Sequence, residues 1–216
     1  MNTINRPEIL PERTVERLSQ YRRVLLKCLA DNKSHIFSHD LAKLLHITSV
    51  QVRRDIMLIG YQGSQRKGYD IKELTDLIGN IIDSESPLKV CVVGMGHLGR
   101  AITTYFKGKR HKLDIIASFD TSPEKTDHII AGVFCHPYEK HSSVIADMKI
   151  TIAILAVPAK FAADVAKDLV SAGIKSIVNY SSTALNVPDG VYLEEYDMIT
   201  SLEKAAYFVK KNSQKA

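Results

Sequence analysis

Residues 89–101 read KVCVVGMGHLGRA. An apolar run meets three glycines spaced G-x-G-x-x-G, at Gly94, Gly96 and Gly99, and a helical pattern follows. A strand that turns at once into a helix, with no Cβ at three points of the turn, opens a βαβ unit. The first glycine takes the tight bend, the second lets a pyrophosphate meet backbone, and the third lets helix and strand close on each other. The start of the helix adds free N–H groups and a partial positive charge. Gly94, Met95, Gly96, His97, Leu98 and Gly99 are therefore read as the phosphate-holding turn of a dinucleotide site. Asp120 lies 21 residues beyond Gly99, at the end of IIASFD. A carboxylate there holds both ribose hydroxyls and repels a 2′-phosphate, which favours NAD(H) over NADP(H).

Downstream, strands and helices alternate. After strand 89–93 come a helix over 97–107, the strand LDIIASF, a loop and the short apolar piece GVFC. The continuous apolar run ITIAILAV suits a parallel strand covered on both faces. A helix through FAADVAKDLVSAG, then SIVNY and VYLEEY, continue the alternation. The fold class is α/β, a Rossmann-like doubly wound parallel sheet. A terminal helix, SLEKAAYFVKK, is apolar at Leu202, Ala205, Ala206 and Val209. It packs either on a partner subunit or on its own core.

The 88 residues before Lys89 have a different character. Residues 1–68 hold twelve Lys+Arg against six Asp+Glu, net +6, whereas the remaining 148 hold 17 against 18, net −1. That asymmetry calls for an anionic partner at the front of the chain. From Thr14 to Ala30, Val15, Leu18, Tyr21, Leu25 and Leu29 recur at helical spacing. Ser38 is read as the N-cap of a second helix with Leu41, Leu44 and Leu45 inward. After ITS, a third helix buries Val52, Ile56 and Ile59 and ends at Gly60. Helix, short turn, helix is the layout of a helix-turn-helix. Ser49, Gln51, Arg53 and Arg54 then occupy the turns that enter a major groove. Arginine bridges guanine O6 and N7, and glutamine pairs with adenine. Arg66 and Lys67, in the glycine-flanked YQGSQRKGYD, suit phosphate or minor-groove contact by a wing. The opposing reading is a solvated helix face, with Asp55 neutralising one of the arginines. An RNA partner is disfavoured because the stacking aromatics of common RNA modules are missing here. The helix IKELTDLIGNIID and the linker-like SESP close this segment. The expected domains are 1–85, a winged-helix DNA-binding domain, and 88–216, a Rossmann NAD(H)-binding domain with a C-terminal helix.

Other classes fall away. No apolar run approaches the roughly 20 residues that span a bilayer, and MNTINRPEIL has neither a basic start nor an apolar stretch, so the chain is expected to be cytoplasmic. Cys28, Cys91 and Cys135 share no short spacing, which argues against a disulfide framework or a zinc site. Cys28 and Cys91 fall in apolar patterns and are read as small core residues; Cys135 stays open as an exposed, oxidisable thiol. No base–acid constellation follows the glycine turn: His97 sits within it, and His128, His136 and His141 are scattered.

The ordered set VQVRRD, VVGMGHLGRA, FDTSPEK, AILAVPA, AGIKSIVNY and LNVPDGV resembles the Rex family of redox-sensing transcriptional repressors, over Pro11 to Val209. The resemblance implies a homodimer on a palindromic operator that responds to the NADH/NAD ratio, with NADH favouring release. Residue by residue, it implies recognition by Arg53 and Arg54 and nucleotide binding by Gly94, Gly96, Gly99 and Asp120. It also implies Tyr105 near the nicotinamide. Asp197, before the last helix, would switch partners between Tyr105 and an arginine of the first helix, Arg23 or its neighbour Arg22. Two segments depart from the family's usual pattern: the wing GSQRKGYD has one glycine fewer, and NYSS stands where NFAP is usual. Two other functions remain open at this point. One is a small NAD-dependent oxidoreductase. The other is a DNA-binding sensor of another nucleotide, such as CoA or ADP.

Overall fold

The computed structural model describes residues 9–109 and 112–213. The segments 1–8 and 110–111 and the last three residues of the lysine-bearing tail lie outside the described residues. The chain divides into two compact units, 1–84 and 85–216.

In the first unit, helix α1 (Glu12–Ala30) buries Thr14, Leu18, Tyr21, Leu25 and Cys28. This 3.6-residue stripe differs at both ends from the expected one, because Val15 is exposed and Leu29 only partly buried. Thr14 displaces the more apolar Val15 because its hydroxyl accepts from Arg17 Nη2 at 3.3 Å, beside a buried polar cluster. Strand β1 (His35–Ile36) leads into α2 (Ser38–Leu45), which buries Leu41 and Ala42. Leu44 is 53% exposed, contrary to expectation, since it lies a full 100° round the helix from Leu45. Ser38 is not the N-cap either. Phe37 holds that position, and its carbonyl accepts from Asp40 and Leu41. His46, in the left-handed region, ends α2, and the Thr48 hydroxyl caps α3 (Ser49–Leu58) by accepting from Gln51 N at 3.2 Å. Val52, Ile56 and Ile59 are buried as expected.

The wing is small. Ser64 and Gly68 exchange backbone hydrogen bonds across Gln65-Arg66-Lys67, and β2 (Tyr69–Asp70) pairs antiparallel with β1. Gly68 has φ +77°, and a Cβ there would lie 2.4 Å from the Ile36 carbonyl oxygen, so only glycine closes this turn. Helix α4 (Ile71–Ile82), capped by Asp70, packs on α1 and is held there by a two-pronged ion pair between Arg22 and Asp83 at 2.7 and 2.8 Å.

The second unit is a seven-stranded sheet. Its strands are β3 (Leu88–Val93), β4 (Leu113–Asp120), β5 (His128–Ile130), β6 (Val133–Pro137), β7 (Ile152–Leu155), β8 (Ser176–Asn179) and β9 (Tyr192–Glu195). The order is β5-β6-β4-β3-β7-β8-β9, parallel throughout except for β5 at one edge. Alternate residues of β3 enter opposite cores. Val90 and Val92 pack with Ile102 of α5 (His97–Phe106). Cys91 and Val93 pack with Ile145 of α6 (His141–Met148) and with Ala162, Ala166 and Leu169 of α7 (Ala159–Ser171). A strand covered on both faces must be apolar on both, as β3 and β7 are. The chain builds outward from β3 to one side and then crosses over to β7. The carboxyl ends of β3 and β7 are therefore the switch point at which such sheets hold ligands. Helix α8 (Met198–Ser213) closes the unit. All three cysteines are buried, Cys135 included, which removes the exposed-thiol reading. Burial pushes the Cys91 thiol up to about 12, so it stays protonated.

Candidate nucleotide site and nucleic-acid interface

The glycine turn lies at that switch point. Gly94 has φ +93°, and a Cβ on it would fall 2.5 Å from the Ala156 carbonyl oxygen. A Cβ on Gly99 would fall 1.9 Å from the oxygen of Gly94. Gly96 is different, with nothing within 4 Å of its missing Cβ. Two glycines are thus required by the protein itself, and the third faces room for something else. No side chain among the described residues caps the N-terminus of α5, the kind of helix end at which anions bind.

Asp120, at the end of β4, is brought to the same place. Its Oδ2 accepts from Met95 N at 2.8 Å and its Oδ1 from Ser122 N at 2.9 Å. Lys125 reaches both oxygens, at 3.3 and 3.4 Å. The Met95 side chain is fully buried, so only its backbone faces the turn, and Arg100 Nε braces its carbonyl at 3.1 Å. His97 is exposed, and Leu98 is half-buried against the β3 core. Lys125 and Arg100 are two site residues that sequence reasoning missed. Lys125 was within reach, since it ends the quoted FDTSPEK.

Among the described residues, the contacts of Tyr105 and Asp197 are local rather than with the turn. Tyr105 is 60% exposed in the last turn of α5, about 12 Å along the helix from its start at 1.5 Å per residue. The Lys109 ammonium lies 3.2 Å over its ring centroid. Asp197 caps α8, accepting from Ile199 N at 2.9 Å, Thr200 N at 3.2 Å and the Thr200 hydroxyl. These bonds, with the Thr200 hydroxyl foremost, hold its carboxyl below the usual range. Helix α8 itself exposes Met198, Ile199, Leu202, Tyr207, Phe208 and Val209. Of the two candidate arginines, Arg22 is engaged by Asp83, whereas Arg23 is exposed.

In the first unit, Asp55 is 2% exposed and accepts four hydrogen bonds: from Arg17 Nε (2.6 Å) and Nη2 (2.8 Å), Tyr21 Oη (2.7 Å) and Gln51 Nε2 (2.9 Å). Burial alone would raise its carboxyl, but the bonds from Arg17, Tyr21 and Gln51 outweigh it and leave the net shift downward. Asp55 therefore neutralises Arg17 of α1 rather than Arg53 or Arg54, which removes that pairing from the opposing, solvated-face reading. Gln51 is drawn inward and Ser49 is half-buried. Arg53 and Arg54 are exposed, with one Arg53 prong 3.2 Å from the Ser38 hydroxyl. Arg66 and Lys67 are exposed at the wing tip.

Comparison with known proteins agrees with this division. Residues 9–56 match a family model described as "Putative DNA-binding protein N-terminus", and residues 85–183 match one described as "CoA binding domain". Curated relatives named redox-sensing transcriptional repressor Rex span nearly the whole chain. The Roseiflexus sp. protein is 32% identical, covering 99% of this chain and 97% of its own. The Carboxydothermus hydrogenoformans protein is 34% identical (94% and 98%), and the Desulfitobacterium hafniense protein 37% (93% and 95%). The chain belongs to the Rex family. The Rex relatives are named as repressors, which are regulators rather than enzymes. Among solved structures, the Rex-family repressor RSP in complex with β-NAD+ and operator DNA superposes with a TM-score of 0.88 at 30% identity, covering 96% of each chain. RSP in complex with β-NADH gives 0.84 at 29% identity, covering 96% of this chain and 98% of that one. No described helix of this Rex chain is long and apolar enough to cross a membrane.

Proposed function

We infer that the chain is a DNA-binding transcriptional repressor whose hold on a palindromic operator is set by NAD(H), with NADH causing release. One observation carries this reading. At the head of α5 the protein fills the space around Gly94 and Gly99 but leaves Gly96 open, beside a carboxylate fixed on the turn. A pyrophosphate fits that opening, and the Asp120 carboxylate keeps lone pairs for ribose hydroxyls. Lys125 offsets part of the negative charge of Asp120 and so softens its repulsion of the phosphates.

Adenosine diphosphate is common to CoA and NAD(H), so a turn of this kind alone serves either. The NAD+ and NADH complexes of RSP support the nicotinamide nucleotide. On the DNA side, Arg53 and Arg54 read base edges, Ser49 lies at the helix start, and Arg66 and Lys67 take phosphates. Gln51 takes a supporting role in this reading, because its amide donates to Asp55. The switch roles of Tyr105, Asp197 and Arg23 rest on the resemblance to Rex, and α8, whose apolar side chains are exposed in the single chain, is the surface we assign to the homodimer. Two recognition helices of a dimer meet half-sites about 34–36 Å apart, so a modest rotation misaligns both. A repressor acting on duplex DNA belongs in the cytoplasm.

Substituting Asp120→Ala tests the nucleotide half of this reading. Titrated by fluorescence, the variant binds NADH more weakly, and its operator affinity without nucleotide stays near wild type. Release of DNA at the original NADH midpoint would contradict the ribose role. Competition of bound NADH by NAD+, ADP and CoA ranks the ligands, and preferential displacement by CoA would overturn NAD(H).

A further inference from the structure

The outward stripe of α3 consists of four residues. Val50, Arg53, Arg54 and Met57 are exposed, whereas Ser49, Gln51 and Leu58 are half-buried and Val52, Asp55 and Ile56 are buried. The spacing i, i+3, i+4, i+7 places all four on one face. Val50 is 46% exposed in the first turn, and the two arginines flank it one turn on. The side chain that sequence suggested as an adenine reader, Gln51, has its amide committed to Asp55 at 2.9 Å. The hydrogen-bonding readers left on this face are arginines, which suit guanine. A face built this way lacks a donor–acceptor pair for A·T. It does carry an apolar, β-branched side chain in the half of the helix that reaches base edges. In solvent that choice is unfavourable, because valine is a poorer helix former than alanine and gains nothing by exposure.

We propose that Val50 reads the C5-methyl group of a thymine in the major groove, beside the base pair contacted by Arg53 or Arg54. The proposal rests on α3 being a DNA-reading helix. Cβ atoms three and four residues apart on a helix lie about 5–6 Å from each other, and successive bases of one strand are about 3.4 Å apart. The valine methyls and an arginine prong therefore address neighbouring steps at once. Thymine presents a methyl group there that no other base carries, so apolar contact alone separates T·A from the other pairs. Met57, two turns further along, lies beyond the half of the helix that meets base edges.

The test begins with the full-length chain, without NADH, selecting duplexes from a random pool. Each thymine of the enriched half-site is then replaced by deoxyuridine, which removes only the methyl group. For the wild-type chain, one position per half-site should weaken binding by about fourfold, the worth of one buried methyl-sized group. Val50→Ala should bind the thymine operator more weakly by a similar factor and lose the dependence on that methyl. Val50→Ile should keep the dependence. The salt dependence of Val50→Ala should match wild type, because no phosphate contact is lost. If wild type and Val50→Ala lose the same factor at every thymine, the proposal is overturned while the DNA reading stands. If no duplex is enriched at all, the DNA reading fails and takes the proposal with it.

Discussion

Three glycines two to five residues apart do three different jobs, and the surroundings of each say which. Gly99→Ala drives a Cβ into the Gly94 carbonyl, so it should destabilise the second unit by roughly 1–3 kcal/mol, the cost of an overpacked core position. Gly96→Ala meets only open space in the chain itself. It should melt with the wild type yet bind NADH about tenfold or more weakly, because the added methyl occupies the ligand's approach. Calorimetric melting and NADH titration of the two variants separate them, and a Gly96 variant that bound NADH normally would contradict the phosphate site. On the other unit, Arg53→Ala should cost roughly 1–3 kcal/mol of specific operator binding, as for one lost bidentate base contact. Fluorescence anisotropy reads this, and unchanged affinity would remove Arg53 from the recognition face. The glycine turn was legible in the sequence because the close approach of strand and helix imposes its spacing, and the arginines because they fall on one side of a periodic helix. The partners were not. That Asp55 binds Arg17 rather than the adjacent Arg54 depends on where α1 lies across α3, a contact 38 residues away in the chain.

At the scale of elements, the Asp55 cluster fixes α3, the proposed recognition helix, against α1. It joins α1 to α3 through charged hydrogen bonds in a core that is otherwise mostly aliphatic. Asp55→Ala should destabilise the first unit by roughly 1–3 kcal/mol, the cost of stranding buried donors. The folded carboxyl lies below its unfolded value. Its contribution is therefore present above the ordinary carboxylate range, about pH 4, and is lost as pH falls through the depressed folded value. Urea midpoints measured from pH 7 to pH 3 should fall more steeply for wild type than for Asp55→Asn, and parallel curves would contradict the assignment. Long periodic elements, such as α1, α3, α7 and the strands of the parallel sheet, were readable because both faces of each are dictated by burial. Strand β5 and helix α6 were missed: β5 is three residues on an edge, and α6 buries only Ile145. The Leu44 and Ser38 expectations failed for a related reason. Hydrophobicity or capping tendency alone does not fix which way an eight-residue helix is turned.

For the whole molecule, a basic DNA-reading unit and a nucleotide-holding unit share one chain, and function requires the state of one to alter the other. Typical coupling of this kind is about 1–3 kcal/mol, or 5–150-fold in affinity. A near-complete switch needs about 5.5 kcal/mol. A dimer that doubles the DNA contacts also doubles what misalignment removes. If the exposed apolar side chains of α8 are the seam of the proposed dimer, Leu202→Asp together with Phe208→Asp should yield monomers by sedimentation and lose palindrome binding at fixed salt. A dimer that persisted would place the seam elsewhere. The most direct measurement is an anisotropy titration of the full-length chain on its selected palindrome, at one salt concentration, with no nucleotide, with NAD+ and with NADH. The expected result is an NADH midpoint raised about 5–150-fold, with NAD+ leaving binding close to that of the free protein. Identical midpoints in all three titrations would contradict the claim that the nucleotide site governs the grip on DNA.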